Sequence, residues 1–340
     1  MTRDHELTVK TVDSHTEGNP TRVIVGGIPV PPGETLVQKL EWLRENGDGL
    51  RRMLNFEPRG SGLMCSVLLL PPSEEDADFS VIIMEQDEYV PMCGHCIIGT
   101  ATTVVAEGMV ERVEPVTIVK FDTPAGRVRC EVEVHDGKVG TVTFDNVESF
   151  LLAEHCRVEV EEFGSLTIDV AYGGDMYAIV DADELNLELS VHNDSQLINA
   201  WQCIRHAVGE QLKTVHPEDP RINQCYQVLF TSKRHQRTDY RQTILVPPGT
   251  LDRSPCGTGT SARLAMLFER GEVKLHETRE FEGPLGTFFS ASIISSEVRN
   301  GIRYSVPRVT GRAYITGYHR FVLDPEDPLP NGYRVGPAPR

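Results

Sequence analysis

Cys93-Gly-His-Cys-Ile-Ile-Gly-Thr-Ala-Thr-Thr-Val-Val-Ala-Glu-Gly108 and Cys256-Gly-Thr-Gly-Thr-Ser-Ala-Arg-Leu-Ala-Met-Leu-Phe-Glu-Arg-Gly271 are two stretches of one chain with a common pattern. Each opens on Cys-Gly, holds small residues near its start, contains no proline and closes on a glycine fifteen residues later. The pattern predicts two helices of about four turns, each with its closing glycine where a C-cap falls. Gly99 and Gly259 lie inside the two runs and weaken their helix propensity. Ala262, Leu264, Ala265, Met266, Leu267 and Phe268 make the second run almost wholly apolar, the mark of a helix buried inside a sheet. Two such helices imply a duplicated architecture of two halves.

The surrounding sequence is strand-rich. Runs dense in Val, Ile, Phe and Tyr predict strands at Arg22–Val25, Met64–Leu70, Phe79–Met84, Val116–Phe121, Leu166–Tyr172, Met176–Val180, Tyr226–Phe230, Gln242–Val246, Phe288–Ser295 and Ala313–Gly317. Helical spacing recurs at Glu34–Leu54, broken by Asn46-Gly47, and at Ser195–Val208. At 340 residues the chain exceeds one typical core, so an α+β protein of two halves is expected, with an irregular surface tail from Pro325.

Charge narrows the function classes. Lys and Arg number 33 against 50 Asp and Glu, a net charge of −17. So acidic a surface does not suit nucleic acid or an anionic membrane. An anionic substrate must be held by local dipoles. The longest uncharged run, Tyr89 to Ala106, contains Pro91, Gly94, His95, Gly99 and three threonines and does not read as a membrane span. Met1–Glu6 shows no signal-peptide pattern, so a cytoplasmic protein is expected. Eight cysteines are too sparse for a disulfide scaffold, which leaves some of them for chemistry.

A thiol at a helix N-terminus gains from the unpaired backbone N–H groups and the positive end of the dipole, which stabilise its thiolate. The same N–H groups bind a carboxylate, and a glycine after the cysteine lets a ligand approach the backbone. Two such ends would provide a general base and a general acid for moving a proton at a carbon beside a carboxylate. Their donors would stabilise the charge of an enediolate-like state. Neither a metal nor an organic cofactor is required for that chemistry.

Four stretches carry a family resemblance: Asp13-Ser-His-Thr-Glu-Gly-Asn-Pro20, Glu57-Pro-Arg-Gly60, Met92-Cys-Gly-His95 and Asp252-Arg-Ser-Pro-Cys-Gly-Thr-Gly-Thr-Ser261. Together they closely resemble the proline racemase family over roughly residues 8 to 325. The resemblance implies the fold of diaminopimelate epimerase, with a curved sheet around a central helix in each half and the site between the halves. It implies an N-terminal half at 1–135, completed by 310–340, and a C-terminal half at 136–309. Cys93 and Cys256 would be the acid/base pair. Gly94, His95, Gly257 and Thr258 would contact the substrate, and Asp252 would receive the ring ammonium of a proline-like amino acid. Family dehydratases carry Thr where this chain has Cys256, so two thiols imply a racemase or epimerase. Departures at Ser61, Cys96 and Asp175-Met176 favour trans-4-hydroxy-L-proline over L-proline as substrate. No cofactor is implied, and a homodimer is the partner expected besides the small-molecule substrate.

Rival readings are weaker. Cys93-Gly-His-Cys96 matches the tetrapeptide of thiol-disulfide oxidoreductases, but Met92 stands where Trp is usual and no βαβ rhythm precedes it. A zinc site would need a second pair of ligands at matching spacing, which the sequence lacks. For a cysteine hydrolase, nothing singles out a histidine to orient Cys256. His15 and Glu17 read as turn or substrate-loop residues, outside the catalytic set.

Overall fold

The computed structural model describes residues 7–234, 238, 240–247 and 249–334. Met1–Glu6 and residues 335–340, which include the amino-terminal reading and the end of the tail, lie outside them. The chain forms two compact units, Met1–Val142 with Arg312–Arg340, and Thr143–Gly311.

In the first unit the strands are β1 (Leu7–Thr16), β2 (Asn19–Gly26), β3 (Cys65–Leu70), β4 (Phe79–Met84), β5 (Tyr89–Val90), β6 (Val116–Thr123) and β7 (Gly126–His135). The chain changes unit within β8 (Lys138–Asp145). The second unit continues with β9 (Phe150–Val160), β10 (Gly164–Tyr172), β11 (Met176–Asp181), β12 (Gln227–Ser232) and β13 (Tyr240–Val246). It is completed by β14 (Thr250–Leu251), β15 (Arg279–Glu282), β16 (Phe288–Arg299) and β17 (Ile302–Gly311). Strand β18 (Ala313–Leu323) returns to the first unit and pairs antiparallel with β1. The helices are α1 (Leu36–Trp42), α2 (Asp48–Asn55), α3 (Gly94–Ala106), α4 (Asp194–Gln211) and α5 (Gly257–Glu269).

Pairing repeats across the two units. From β1 the order β2, β3, β4, β6, β7 runs antiparallel, parallel, antiparallel, parallel, antiparallel. From β10 the order β11, β12, β13, β15, β16 runs through the same alternation. Parallel neighbours need long crossovers. Helices α1 and α2 fill the first of them in one unit and α4 fills its counterpart. The second crossover holds a two-strand hairpin partner and then the central helix, β5 with α3 and β14 with α5. Each sheet curls around its helix: α3 touches β18 and β1 at one end of the order and β7 at the other. Likewise α5 touches β9 and β10 at one end, and β16 and β17 at the other.

Burial overrides propensity in these helices. All residues of α3 from Gly94 to Val105 are buried, although seven of them are β-branched. Thr100 and Thr103 satisfy their hydroxyls on the carbonyls of Cys96 and Gly99, one turn back. Within α5 the buried Arg263 stacks near Tyr240 and donates to the Arg241 carbonyl at 3.0 Å. The interior glycines have a packing reason. A Cβ on Gly99 would stand 3.0 Å from Thr21 and from Ser14, and one on Gly259 would stand 2.0 Å from Ile244.

Backbone meets backbone closely at Gly173, after β10. A Cβ there would lie 2.1 Å from the Thr258 carbonyl oxygen and 2.5 Å from the Ala262 nitrogen, both backbone atoms of α5. Asn146 holds the same junction, donating to the Gly173 carbonyl and to Ser261 Oγ at 2.8 Å each. Gly173→Ala must therefore displace the first turn of α5. A loss at the upper end of the usual ~1–3 kcal/mol for overpacking is expected in denaturant unfolding. An unchanged midpoint would show that this junction yields easily.

The Glu34–Leu54 segment departs from one broken helix. A π-helical turn, Leu43–Gly47, joins α1 to α2, so Asn46-Gly47 marks a change of helical winding and not a gap. The described part of the tail is pinned to its own unit: Asp327 pairs with Arg59, and Tyr333 N donates to the Glu57 carbonyl at 2.7 Å. Among the described residues no helix is long and apolar enough to cross a membrane.

Candidate active site

Both cysteines of the repeated motif stand at the N-cap of a central helix, Cys93 on α3 and Cys256 on α5. The first-turn amides that follow have no partner one turn back inside their helix. Each unit thus presents a thiol beside backbone donors, and the two surroundings differ.

In the first unit Cys93 is buried in extended backbone, and its Sγ lies 3.1 Å from His95 Nδ1. On the other side of the ring, His95 Nε2 lies 3.4 Å from Cys96 Sγ and 3.3 Å from Asn19 Nδ2. Thr16 Oγ1 donates to the His95 carbonyl at 2.8 Å, which ties β1 to the start of α3. A hydrogen bond from the Cys96 thiol and the charge of His95 together hold the Cys93 thiol well below its ordinary range, against the effect of burial. Burial disfavours a charged His95, but the neighbouring Cys93 charge and hydrogen bonds with Cys65 and Cys93 raise it well above the usual imidazole range. Both shifts favour a thiolate beside an imidazolium, a state suited to a general base.

The Asp13–Pro20 stretch is braced within this unit. Arg22 forms a buried two-pronged pair with Asp13, at 2.8 Å for Nη2, and donates through Nη1 to the carbonyls of Leu54 and Arg59. That one guanidinium joins the Asp13–Pro20 and Glu57–Gly60 stretches. His15 accepts from Gly18 N at 3.2 Å, and the Arg312 amide donates to Glu17 Oε1 at 3.2 Å. His15 and Glu17 therefore shape the β1–β2 turn, with Glu17 at a φ of 48°.

The second unit brings Asp252, Cys256, Gly257 and Thr258 together. Cys256 sits at a φ of 63°, a left-handed backbone that costs energy for a residue with a Cβ. A chain of hydrogen bonds holds it there. Asp252 Oδ1 accepts from Ser254 N at 2.8 Å and from Ser254 Oγ at 2.9 Å, and Ser254 Oγ accepts from Cys256 N at 3.1 Å. Asp252 is 7% exposed, so it is not a surface-turn residue. Cys256 Sγ accepts from Gly259 N at 3.4 Å, an N-cap interaction. It also lies 3.5 Å from Thr258 Oγ1 and 3.7 Å from Tyr177 Oη, while those two hydroxyls share a bond of 2.6 Å. Burial, followed by the charges of Cys256 and Asp175, pushes the Tyr177 phenol well above its usual range, so it remains a donor.

Sequence reasoning missed Asn19, Cys65, Tyr177 and Ser254. Asn19 and Ser254 lie inside two of the quoted motifs, so their signal was present but unassigned. Tyr177 reaches the site only because β11 runs alongside α5, and nothing local to it marks that. Of the departures, Cys96 faces His95, and Asp175 closes the β10–β11 turn while accepting from Gln227 at 3.0 Å.

Comparison with known proteins supplies the family. The profile of the proline racemase family matches residues 11–334. A 4-hydroxyproline 2-epimerase of Streptosporangium roseum is 43% identical over 322 residues, 95% of this chain and 97% of that protein. A proline racemase of Clostridioides difficile is 39% identical over 326 residues, 96% of this chain and 97% of that protein. Among solved structures, a hydroxyproline epimerase of Agrobacterium vitis with bound trans-4-hydroxy-L-proline matches with a TM-score of 0.90 at 33% identity, over 97% of this chain and 96% of its own. The fold is the expected α+β, diaminopimelate-epimerase-like class, which also places Cys93-Gly-His-Cys96 outside any thioredoxin-like unit. With family profile, relatives and fold in accord along almost its whole length, the chain belongs to the proline racemase family and is an isomerase of the racemase and epimerase class.

Proposed function

We propose that this protein inverts C2 of a proline-type amino acid without a cofactor, with trans-4-hydroxy-L-proline as its preferred substrate, L-proline as the runner-up, and the cytoplasm as its place of work. The observation that carries the reading is the matched placement of Cys93 and Cys256 at the N-caps of two equivalent central helices. The relatives named above supply the substrate class.

One thiolate removes the C2 proton and the other thiol delivers a proton to the opposite face, so each turnover leaves the pair with the opposite protonation. The first-turn amides of Gly94 and His95, and of Gly257 and Thr258, hold the substrate carboxylate and the charge that builds on it. Asp252 takes the ring ammonium. Of the Tyr177 and Thr258 hydroxyls, one donates toward Cys256 while accepting from the other, and His95 donates toward Cys93, so each sulfur has a partner for its charged form.

The test is a C2-proton exchange screen in deuterated water with trans-4-hydroxy-L-proline, L-proline and trans-3-hydroxy-L-proline. Inversion with exchange is expected for the first, more slowly for the second, and water loss from none. Pyridoxal phosphate should not raise the rate and a chelator should not lower it. Loss of activity on chelation would contradict the reading.

A further inference from the structure

We propose that Cys65, His95 and Cys96 form a binding site for a thiolate-preferring divalent cation of the zinc class, set directly beside Cys93. The sequence spacing offered no second ligand pair. The fold supplies the missing ligand, because Cys65 opens β3 in parallel register with Thr21 of β2, against which α3 packs closely through Gly99. One ligand atom from each of the three residues lies within 4.8 Å of the others, and all three residues are buried.

The ring has two nitrogens, and their neighbours divide the roles. Nδ1 faces Cys93 at 3.1 Å, and Nε2 faces Cys96 at 3.4 Å, which makes Nε2 the metal-binding nitrogen. Two thiolates and one neutral imidazole around Zn2+ give a complex of zero net charge, the form that a buried position tolerates. The donor set excludes Mg2+ and Ca2+, which require six or more oxygen ligands or nearly so, and fits tetrahedral zinc with one position left for another ligand. The Asn19 amide nitrogen lies 3.3 Å from the same Nε2.

Occupancy would fix the His95 ring as a ligand and crowd Cys93, so the metal acts as an inhibitor and not as a cofactor. This consequence, unlike the binding itself, rests on the function proposed above. The experiment is a Co2+ titration of the full reduced chain, followed by Zn2+ displacement and Zn2+ inhibition of C2 inversion. A thiolate-to-cobalt charge-transfer band that saturates at one equivalent is expected, abolished by Zn2+. Cys65→Ser should weaken binding and inhibition by at least about tenfold, in line with the effect of lesser changes around metal sites. Cys203→Ser, in the other unit, should change neither. Cys65→Ala, checked by circular dichroism for folding, guards against a serine variant that misfolds. A band of equal affinity in wild type and both Cys65 variants, or no band, would overturn the site. A band without any inversion activity would leave the metal site standing and overturn the proposed function. Inversion activity without a band would do the reverse.

Discussion

Replacing either Cys93 or Cys256 with serine is expected to abolish net inversion while leaving a one-sided residue of proton exchange. Both sulfurs stand at helix N-caps, and each has donors to its charged form: His95 Nδ1 at 3.1 Å for Cys93, Gly259 N at 3.4 Å for Cys256. A serine hydroxyl in the same place is a far weaker base near neutral pH. A general acid–base group contributes about 10²–10⁴-fold, and inversion needs both groups in every turnover. Each single variant should therefore lose at least that factor in kcat. The remaining cysteine can still remove and return the proton of the one configuration it faces. Cys93→Ser and Cys256→Ser should then wash deuterium into opposite stereoisomers, as followed by proton NMR. Near wild-type inversion by either variant would remove that cysteine from the chemistry and contradict the two-thiol reading.

The second large effect is expected at Asp252. Its Oδ1 already serves Ser254 twice, and through Ser254 it sets the backbone of Cys256. Asp252→Asn keeps an oxygen for those contacts and removes only the charge, which makes it a cleaner probe than alanine. If the carboxylate pairs with the substrate ammonium in a desolvated site, the variant leaves one charge uncompensated, at about 2–5 kcal/mol. That corresponds to a fall in kcat/KM of roughly 30-fold to several thousand-fold. Tm should change little, because the hydrogen bonds survive. A variant with normal kcat/KM would assign Asp252 to loop structure alone. A variant with a collapsed Tm would show that the charge itself holds the loop.

Punctuation made the central helices legible: Cys-Gly at one end, Glu-Gly or Arg-Gly at the other, and no proline within. The helices run from Gly94 to Ala106 and from Gly257 to Glu269, each ending two residues before its closing glycine. Eight of the ten apolar runs lie wholly within strands, and those opening at Met64 and Tyr226 begin one residue before β3 and β12. The strands that escaped notice, such as β7 and β9, alternate apolar residues with charges, as in Arg127-Val-Arg-Cys-Glu-Val-Glu133. Strand β17 carries Pro307 inside it, opposite a register shift at Ile293/Ser295, where a proline is tolerated. Gly99 and Gly259 counted against helix on propensity, yet they are what lets each helix lie so close to its sheet.

The site divided along similar lines. Motif residues adjacent in sequence were found because a helix start keeps neighbours together. Cys65 and Tyr177 were not, because they reach α3 and α5 only through strand pairing at long range. The left-handed backbone of Cys256 was equally invisible, since only Gly and the Asx residues announce that conformation in a sequence.

The most direct measurement is the hydrogen at C2 of the product during the first turnovers of wild-type enzyme on trans-4-hydroxy-L-proline in deuterated water. Two separate groups, one taking the substrate proton and one delivering from solvent, predict product fully deuterated at C2 while unreacted substrate keeps its protium. Product that retains substrate protium would mean that a single group carries the proton across, and would contradict the two-thiol account.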